Sequence, residues 1–416
     1  MTPLRVAIGG CLVALLAACG SPAPTPVPSP TPTTAAPTGD GVLRIGTLFP
    51  TSGDFSFIAA AQAAGVNLAV AEINAAGGVN GAPVEVIARD SGAASTGTAE
   101  ASFADLVANG ADVVVGPSSS ALAQRLIPLS IAAKVPLISP AATFPALPQS
   151  EAGYFFRTIP SYPTQGRVLG TVLSAAGPVK VAFVYLNDAL GQALVPELTD
   201  SVAAAGSTLV LSEGVDPATT DFAPVVANLV AAAPDVVVLG SAYTSLDATK
   251  AMITQVIAAG FGGAKLWLTT QNTGDYSQAF PGGTLAAVNG LIEGVQPDEA
   301  FTARLKGVDG GLTDLRYSVE AYDATIVAAL AAITSGDDSG PAVAGAMRSA
   351  SSGGIKCTSF AECLAVLKTQ PDIDYDGISG PLDFTDTGDV SSVYYGVYAY
   401  DAENHFVFQR GVIDYR

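Results

Sequence analysis

The sequence predicts an α/β protein of parallel sheets covered by helices on both faces. Three observations carry that prediction. From residue 42 onward, short apolar strands alternate with helical stretches, the order expected where each parallel crossover runs through a helix. The rhythm runs to about residue 158 and then restarts. The two runs also share a local signature. Asp112-Val113-Val114-Val115-Gly116 opens toward Ser118-Ser119-Ser120, and Asp235-Val236-Val237-Val238-Leu239-Gly240 opens toward Ser241-Ala242-Tyr243-Thr244. In each half a buried strand runs into a small polar loop before a helix. In open α/β sheets ligands lie beyond the carboxyl ends of the strands, so two facing halves would enclose a cleft.

Taken in order, Val42 to Leu48 reads as the first strand. A long Ala-rich helix follows and ends near Asn74-Ala75-Ala76-Gly77-Gly78, where glycine supplies a left-handed cap. Strand 83–89, helix 97–109, strand 112–116, helix 120–133 and strand 136–139 complete the first run. After Tyr154-Phe155-Phe156-Arg157-Thr158 come strand 180–186, helix 190–205, strand 207–211 and helix 222–232. Strand 235–239, helix 245–259 and strand 265–269 follow.

The amino terminus has a different character. Arg5 precedes an apolar stretch of small residues, 6 to 18, too short to span a bilayer and suited to a secretory signal. It ends in Leu16-Ala17-Ala18-Cys19, which resembles a bacterial lipobox. That resemblance implies that Cys19 carries lipid and begins the mature chain. Residues 1–18 are then the signal peptide and 19–41 a lipidated linker. Seven of the twenty residues 21–40 are proline, a composition that extends as polyproline and buries no core. The expected location is outside the cytoplasm, on the cell membrane through the lipid.

About 376 residues remain, enough for two domains with their own cores. The formal charge of −19 is spread without a Lys/Arg cluster, which argues against nucleic-acid binding. In the body only Cys357 and Cys363 remain. In an exported chain they read as a structural disulfide; as a zinc site they lack a nearby His or a second Cys pair.

Residues 43–54, 72–90, 112–120 (DVVVGPSSS) and 137–143 (LISPAAT) resemble the leucine/isoleucine/valine-binding proteins, type I substrate-binding proteins of ABC importers. Phe183-Val184-Tyr185, Ala321-Tyr322-Asp323-Ala324 and Gly380-Pro381-Leu382-Asp383-Phe384 fit the same family in the same order. The resemblance implies two Rossmann-like lobes joined by a three-crossover hinge, with crossings near 158, 290 and 388. Lobe 1 would comprise 42–158 and 291–388, and lobe 2 would comprise 159–290 and 389–416. It also implies a monomer that takes a small ligand between its lobes and docks on an ABC permease powered by ATPase subunits.

For the site, the resemblance points first to Ser120, at the start of a helix whose free N–H groups suit a carboxylate, with Ser118 a nearby substitute. Taken alone, Ser120 is also an ordinary helix-capping serine. Next comes Ala141-Ala142-Thr143, where the Ala141 carbonyl and Thr143 hydroxyl would take an ammonium group. The family's ammonium-pairing Glu position reads Gln271, a neutral amide that does not balance a buried cation. Asp188 and Asp275 are the nearby acids able to substitute. Leu190 stands where the family often has Tyr, and Tyr243 or Trp267 would offer an aromatic wall, although Trp267 sits in an apolar strand and reads as core. The expected ligand is a branched-chain or other hydrophobic amino acid; an amide or urea-like compound, or a small carboxylate, is the alternative, as is a sensing role beside a separate receptor.

Catalysis finds little support. The single histidine, His405, falls in a turn between two strands, and the carboxylate pair Asp337-Asp338 sits in a Ser/Gly-rich loop and reads as solvated. There is no nucleophile elbow, no phosphate-binding loop and no histidine pair for a metal. Nothing calls for a cofactor.

Overall fold

The computed structural model describes residues 39–53, 55–145, 147, 153–242 and 245–415. The signal segment, Cys19 and the Pro-rich linker up to residue 38 lie outside them.

The chain first builds β1 (Arg44–Phe49), α1 (Ser56–Ala75), β2 (Glu85–Asp90), α2 (Thr98–Ala108), β3 (Val113–Val115), α3 (Ser120–Ala133), β4 (Leu137–Ser139) and β5 (Phe155–Arg157). These strands form one sheet in the order β2-β1-β3-β4-β5, every pair parallel. It then crosses to a second body made of α4 (Gln165–Leu173), β6 (Lys180–Leu186), α5 (Ala189–Ala204), β7 (Thr208–Val215) and α6 (Ala223–Ala232). The same body continues with β8 (Val236–Gly240), α7 (Leu246–Val256), β9 (Leu266–Leu268) and β10 (Asn289–Glu293). After β10 it supplies α8 (Glu299–Val308), α9 (Ser318–Ser335), α10 (Gly340–Ala346), β11 (Ile355–Cys357), α11 (Phe360–Leu367), β12 (Ile373–Gly377) and β13 (Gly380–Pro381). Their apolar residues share a core with Ile45, Val113 and Ile138 of the first sheet. The closing hairpin, β14 (Ser392–Tyr400) and β15 (Phe406–Tyr415), joins the second sheet, whose order is β15-β14-β10-β9-β8-β6-β7. The chain passes between the sheets after β5, after β10 and before β14. The result is the two-lobed α/β architecture expected from the sequence.

Both parallel sets share one winding: the first strand lies between the second and the third. Such an order reverses direction beside the first strand and leaves a crevice at the carboxyl ends. The central strands, such as β3 and β8, read as continuous apolar segments because helices cover both faces.

Helix α9 shows how the core is assembled. Every residue from Ser318 to Ala332 is buried: the half from Ile326 onward is apolar all round, as an interior helix should be, and the polar Asp323 and Thr325 before it are hydrogen-bonded. It lies against α1, where a Cβ added to Gly65 would stand 2.1 Å from the Ser318 carbonyl oxygen. Glycine therefore sets that approach. Although α1 is long and apolar enough to cross a membrane, its Ala61, Val66, Ala69 and Ile73 are buried in this core.

Cys357 and Cys363 are joined by a disulfide that links β11 to α11. The same turn is capped twice: Ser359 Oγ accepts from Glu362 N at 3.3 Å, and Glu362 Oε2 accepts from Thr358 N at 2.8 Å.

Three local readings change. β7 runs four residues past 211 to Val215 because edge pairing with the whole of β6 holds its polar tail. The helix expected over 245–259 ends at Val256 and closes in a wide turn, with Gly260 at φ 93°. Asp338 is buried rather than solvated, at 4 % exposure. Its carboxylate accepts from Gly41 N, as that of Asp337 accepts from Gly39 N, so the pair fastens the start of the described chain to the lobe.

Candidate functional site

The carboxyl ends of β3, β4, β9 and β10 converge on a cleft of about 630 Å³, a size suited to a small organic ligand. One wall comes from the loops after β3 and β4. β3 ends at Val115, and the chain turns at Gly116 with φ +126°, where a Cβ would meet the Leu48 carbonyl oxygen at 2.5 Å. Ser139 Oγ ties the two loops together, donating to the Pro117 carbonyl at 2.6 Å and accepting from Ala142 N at 2.9 Å. Ser118 Oγ donates to Gln62 Oε1 of α1 at 2.5 Å.

Ser119 is the extended residue before α3, and Ser120 is the first helical one. Ala123 N bonds the Ser119 carbonyl at 2.9 Å. The N–H groups ahead of Ala123 precede the helix's own ladder, and with the helix dipole they favour a negative group at this end. Ser120 Oγ accepts from Phe144 N at 3.1 Å. One of its two lone pairs is thus engaged and its hydroxyl hydrogen remains available to a ligand oxygen, the polarity a carboxylate requires.

The facing wall begins in the single helical turn Thr270–Asn272 after β9. Asn272 is fully buried and sets this turn: Nδ2 donates to the Leu239 carbonyl at 3.1 Å and to Ser241 Oγ at 2.9 Å, while Oδ1 accepts from Thr269 at 2.8 Å. Gln165 Oε1 adds a bond from Thr270 N at 3.2 Å. Gln271 is left half-buried on the cleft.

Glu293, the last residue of β10, closes the inner end. It is 6 % exposed, and Oε1 accepts from the Tyr317 hydroxyl at 3.3 Å. Burial pushes its carboxyl above the usual carboxylate range. Arg316 also lines the cleft, but Asp314 grips its Nε and Nη2, and its guanidinium lies 4.9 Å from the centre of the exposed Phe57 ring.

Behind the first wall, Arg157 fixes the loop. At 1 % exposure, its Nε bonds Asp389 Oδ1 at 2.5 Å. Its Nη1 donates to the Ala142 and Phe144 carbonyls at 3.1 and 2.9 Å. One guanidinium thus holds the loop after β4 to the segment that returns the chain into β14.

The sequence model described as periplasmic binding protein matches residues 42–392. The chain belongs to that family. Periplasmic binding proteins work outside the cytoplasm by binding rather than by catalysis. Among relatives, the chain is 28 % identical over 356 residues to the chemotactic signal transduction system substrate-binding protein BasB of Halobacterium salinarum, covering 82 % of this chain and 83 % of that one. Among solved structures, it matches the branched-chain amino acid transporter substrate-binding protein LivJ of Streptococcus pneumoniae, in complex with isoleucine. That match has a TM-score of 0.65 at 20 % identity, covering 90 % and 100 % of the two chains. A solute-binding protein of Rhodopseudomonas palustris in complex with p-hydroxybenzoic acid matches with a TM-score of 0.64 at 18 % identity, covering 90 % and 98 %. These structures share the fold.

Within this periplasmic binding protein, Ser118, Ser120, Ala141, Thr143 and Gln271 line one cleft, together with Leu190 and the exposed Asp275. Ala142 instead faces the core, fully buried, because side chains leaving a strand alternate in direction. Asp188 caps α5, accepting from Leu190 N and Gly191 N at 3.0 and 2.8 Å, and is not among the residues lining this cleft. Tyr243 lies outside the described residues. Trp267 is buried in the second lobe's core. Sequence reasoning missed Glu293, Arg316, Tyr317 and Phe57 at the cleft, and Arg157 behind it. None of them stands out in the sequence; Glu293 reads as an ordinary acid at the end of the strand Asn289–Glu293. Among the described residues, no group of three or more His, Cys, Asp or Glu is placed to hold a metal ion.

Proposed function

We propose that this protein is the substrate-binding component of an ABC importer, held to the membrane by lipid on Cys19. It captures a branched-chain or other hydrophobic amino acid between lobes 42–158 plus 291–388 and 159–290 plus 389–416, and delivers it to a permease driven by ATPase subunits. The observation that carries this reading is the free polarity of Ser120 at the head of α3, facing Thr143 and Ala141 in the cleft. A carboxylate would sit at the helix end and an aliphatic side chain against Leu190, Phe144 and Ile58. Isoleucine in the similar LivJ structure supports the amino-acid class. Closure follows from contacts made only when both lobes touch the ligand.

Ser120→Ala and Thr143→Ala are each expected to weaken amino-acid binding roughly 10- to 100-fold, the value of a hydrogen bond to a charged group, while the unliganded protein melts as before. Titration calorimetry on protein stripped of ligand by unfolding and refolding measures it. Unchanged affinity in both variants sinks the assignment.

The likeness to a chemotaxis substrate-binding protein favours a second reading, in which the same loaded cleft signals through a separate receptor. Uptake of labelled ligand by cells with and without the protein separates transport from sensing.

A further inference from the structure

We propose that Glu293, with the Thr270 hydroxyl, is the counter-charge for a protonated amine in the cleft, supplying at the base of the hinge the negative charge that Gln271 lacks. The assignment rests on the ligand reading above and names its cationic half.

Two buried polar atoms point to it. Glu293 Oε2 and Thr270 Oγ1 each lack a well-formed hydrogen bond among the described residues, although the two residues are only 6 % and 9 % exposed, both line the cleft, and the Thr270 hydroxyl lies near enough to the Glu293 carboxyl to favour its charged form. Buried polar groups are normally satisfied, so an unpartnered carboxylate oxygen and hydroxyl on a cavity wall mark the place of a missing donor. An ammonium group carries three donors and a positive charge, and can serve both oxygens at once.

The other charged groups nearby are already engaged. Asp188 accepts two amides at the head of α5. Asp275 is exposed and accepts from Ser277 N at 2.8 Å. Arg316, which also lines the cleft, is hydrogen-bonded to Asp314; its charge reaches Glu293 and favours the carboxylate form, but no hydrogen bond joins the two. Tyr317 serves only the other oxygen of Glu293. Glu320 also has an unpartnered Oε2, but it does not line the cleft.

The test compares L-leucine, L-valine and L-phenylalanine with their deaminated counterparts, 4-methylpentanoate, 3-methylbutanoate and 3-phenylpropanoate. Each is titrated by calorimetry into ligand-stripped wild-type protein, Glu293→Gln and Thr270→Val. Wild type should bind at least one amino acid roughly 100-fold tighter than its deaminated counterpart, the consequence of leaving a buried charge unpaired. Glu293→Gln should erase that preference while keeping affinity for the deaminated acid, and Thr270→Val should reduce it about tenfold. Both variants should melt close to wild type without ligand, since Gln replaces a buried carboxylate by a neutral amide of the same shape and Val removes an unpartnered hydroxyl. An amino-acid affinity within threefold of wild type in Glu293→Gln overturns the assignment. So does a wild type that binds only the deaminated acids, which leaves the cleft standing as a carboxylate site. If neither set binds, the amino-acid reading falls with it.

Discussion

Arg157→Met is expected to cost about 3–5 kcal/mol of stability, the range for breaking one side of a buried ion pair. Asp389 would keep its charge with the partner gone, and the Ala142 and Phe144 carbonyls would lose their shared donor. At this chain length the melting temperature should fall by several degrees or more. A merely electrostatic loss would end there. Because the same guanidinium holds the Ala141–Thr143 loop, ligand affinity should fall as well, even at temperatures where the variant is fully folded. Arg157→Met combined with Asp389→Leu should recover much of the stability, since an apolar pair of similar volume replaces the charges. It should not recover affinity, because no donor returns to the two carbonyls. Thermal denaturation and calorimetry on the three proteins read both effects. Wild-type stability in Arg157→Met would show that the pair holds nothing.

Gly116→Ala is expected to be as severe. At φ +126° an L side chain is strained, which costs about 1–3 kcal/mol, and the new Cβ would stand 2.5 Å from the Leu48 carbonyl oxygen. That oxygen belongs to the backbone of β1 and has no rotamer by which to withdraw. The loop must move instead, and with it Ser118 and the head of α3. We expect a total cost of about 3 kcal/mol or more, with binding lost in whatever fraction stays folded. Gly97→Ala is the control: φ is −93° and nothing lies within 4 Å of its added Cβ, so stability should change by less than about 0.5 kcal/mol. Equal melting of the two alanine variants would contradict the strain account.

The fold was legible because its strands are runs such as Val113–Val115 and Val236–Gly240, bounded by small polar loops and separated by helix-length stretches. Periodicity reports burial, and the central strands of both parallel sets, such as β3, β4, β8 and β9, are buried on both faces. Ser120, Ala141 and Thr143, to which the family resemblance pointed, line the cleft because the loops that carry them leave the carboxyl ends of β3 and β4. What was hidden depends on the crossings. Glu293 ends a strand, which in sequence reads as an ordinary charged boundary. Only the return of the chain from the second sheet toward α8 brings its carboxylate to the cleft. Arg157 was hidden likewise, since its partner Asp389 lies 232 residues away. Asp188 shows the opposite error. An acid directly before a helix has a local use as a cap, and that use takes its oxygen.

The measurement that tests the central claim most directly is a thermal-shift panel on refolded, ligand-stripped protein. It would hold aliphatic and aromatic amino acids, amides, urea and small carboxylates. A true ligand at 100 times its dissociation constant adds about 2.7 kcal/mol of stability. The account predicts a clear rise with at least one aliphatic amino acid, and a smaller rise in Ser120→Ala at the same concentration. No rise with any amino acid, or an equal rise in Ser120→Ala, would contradict it.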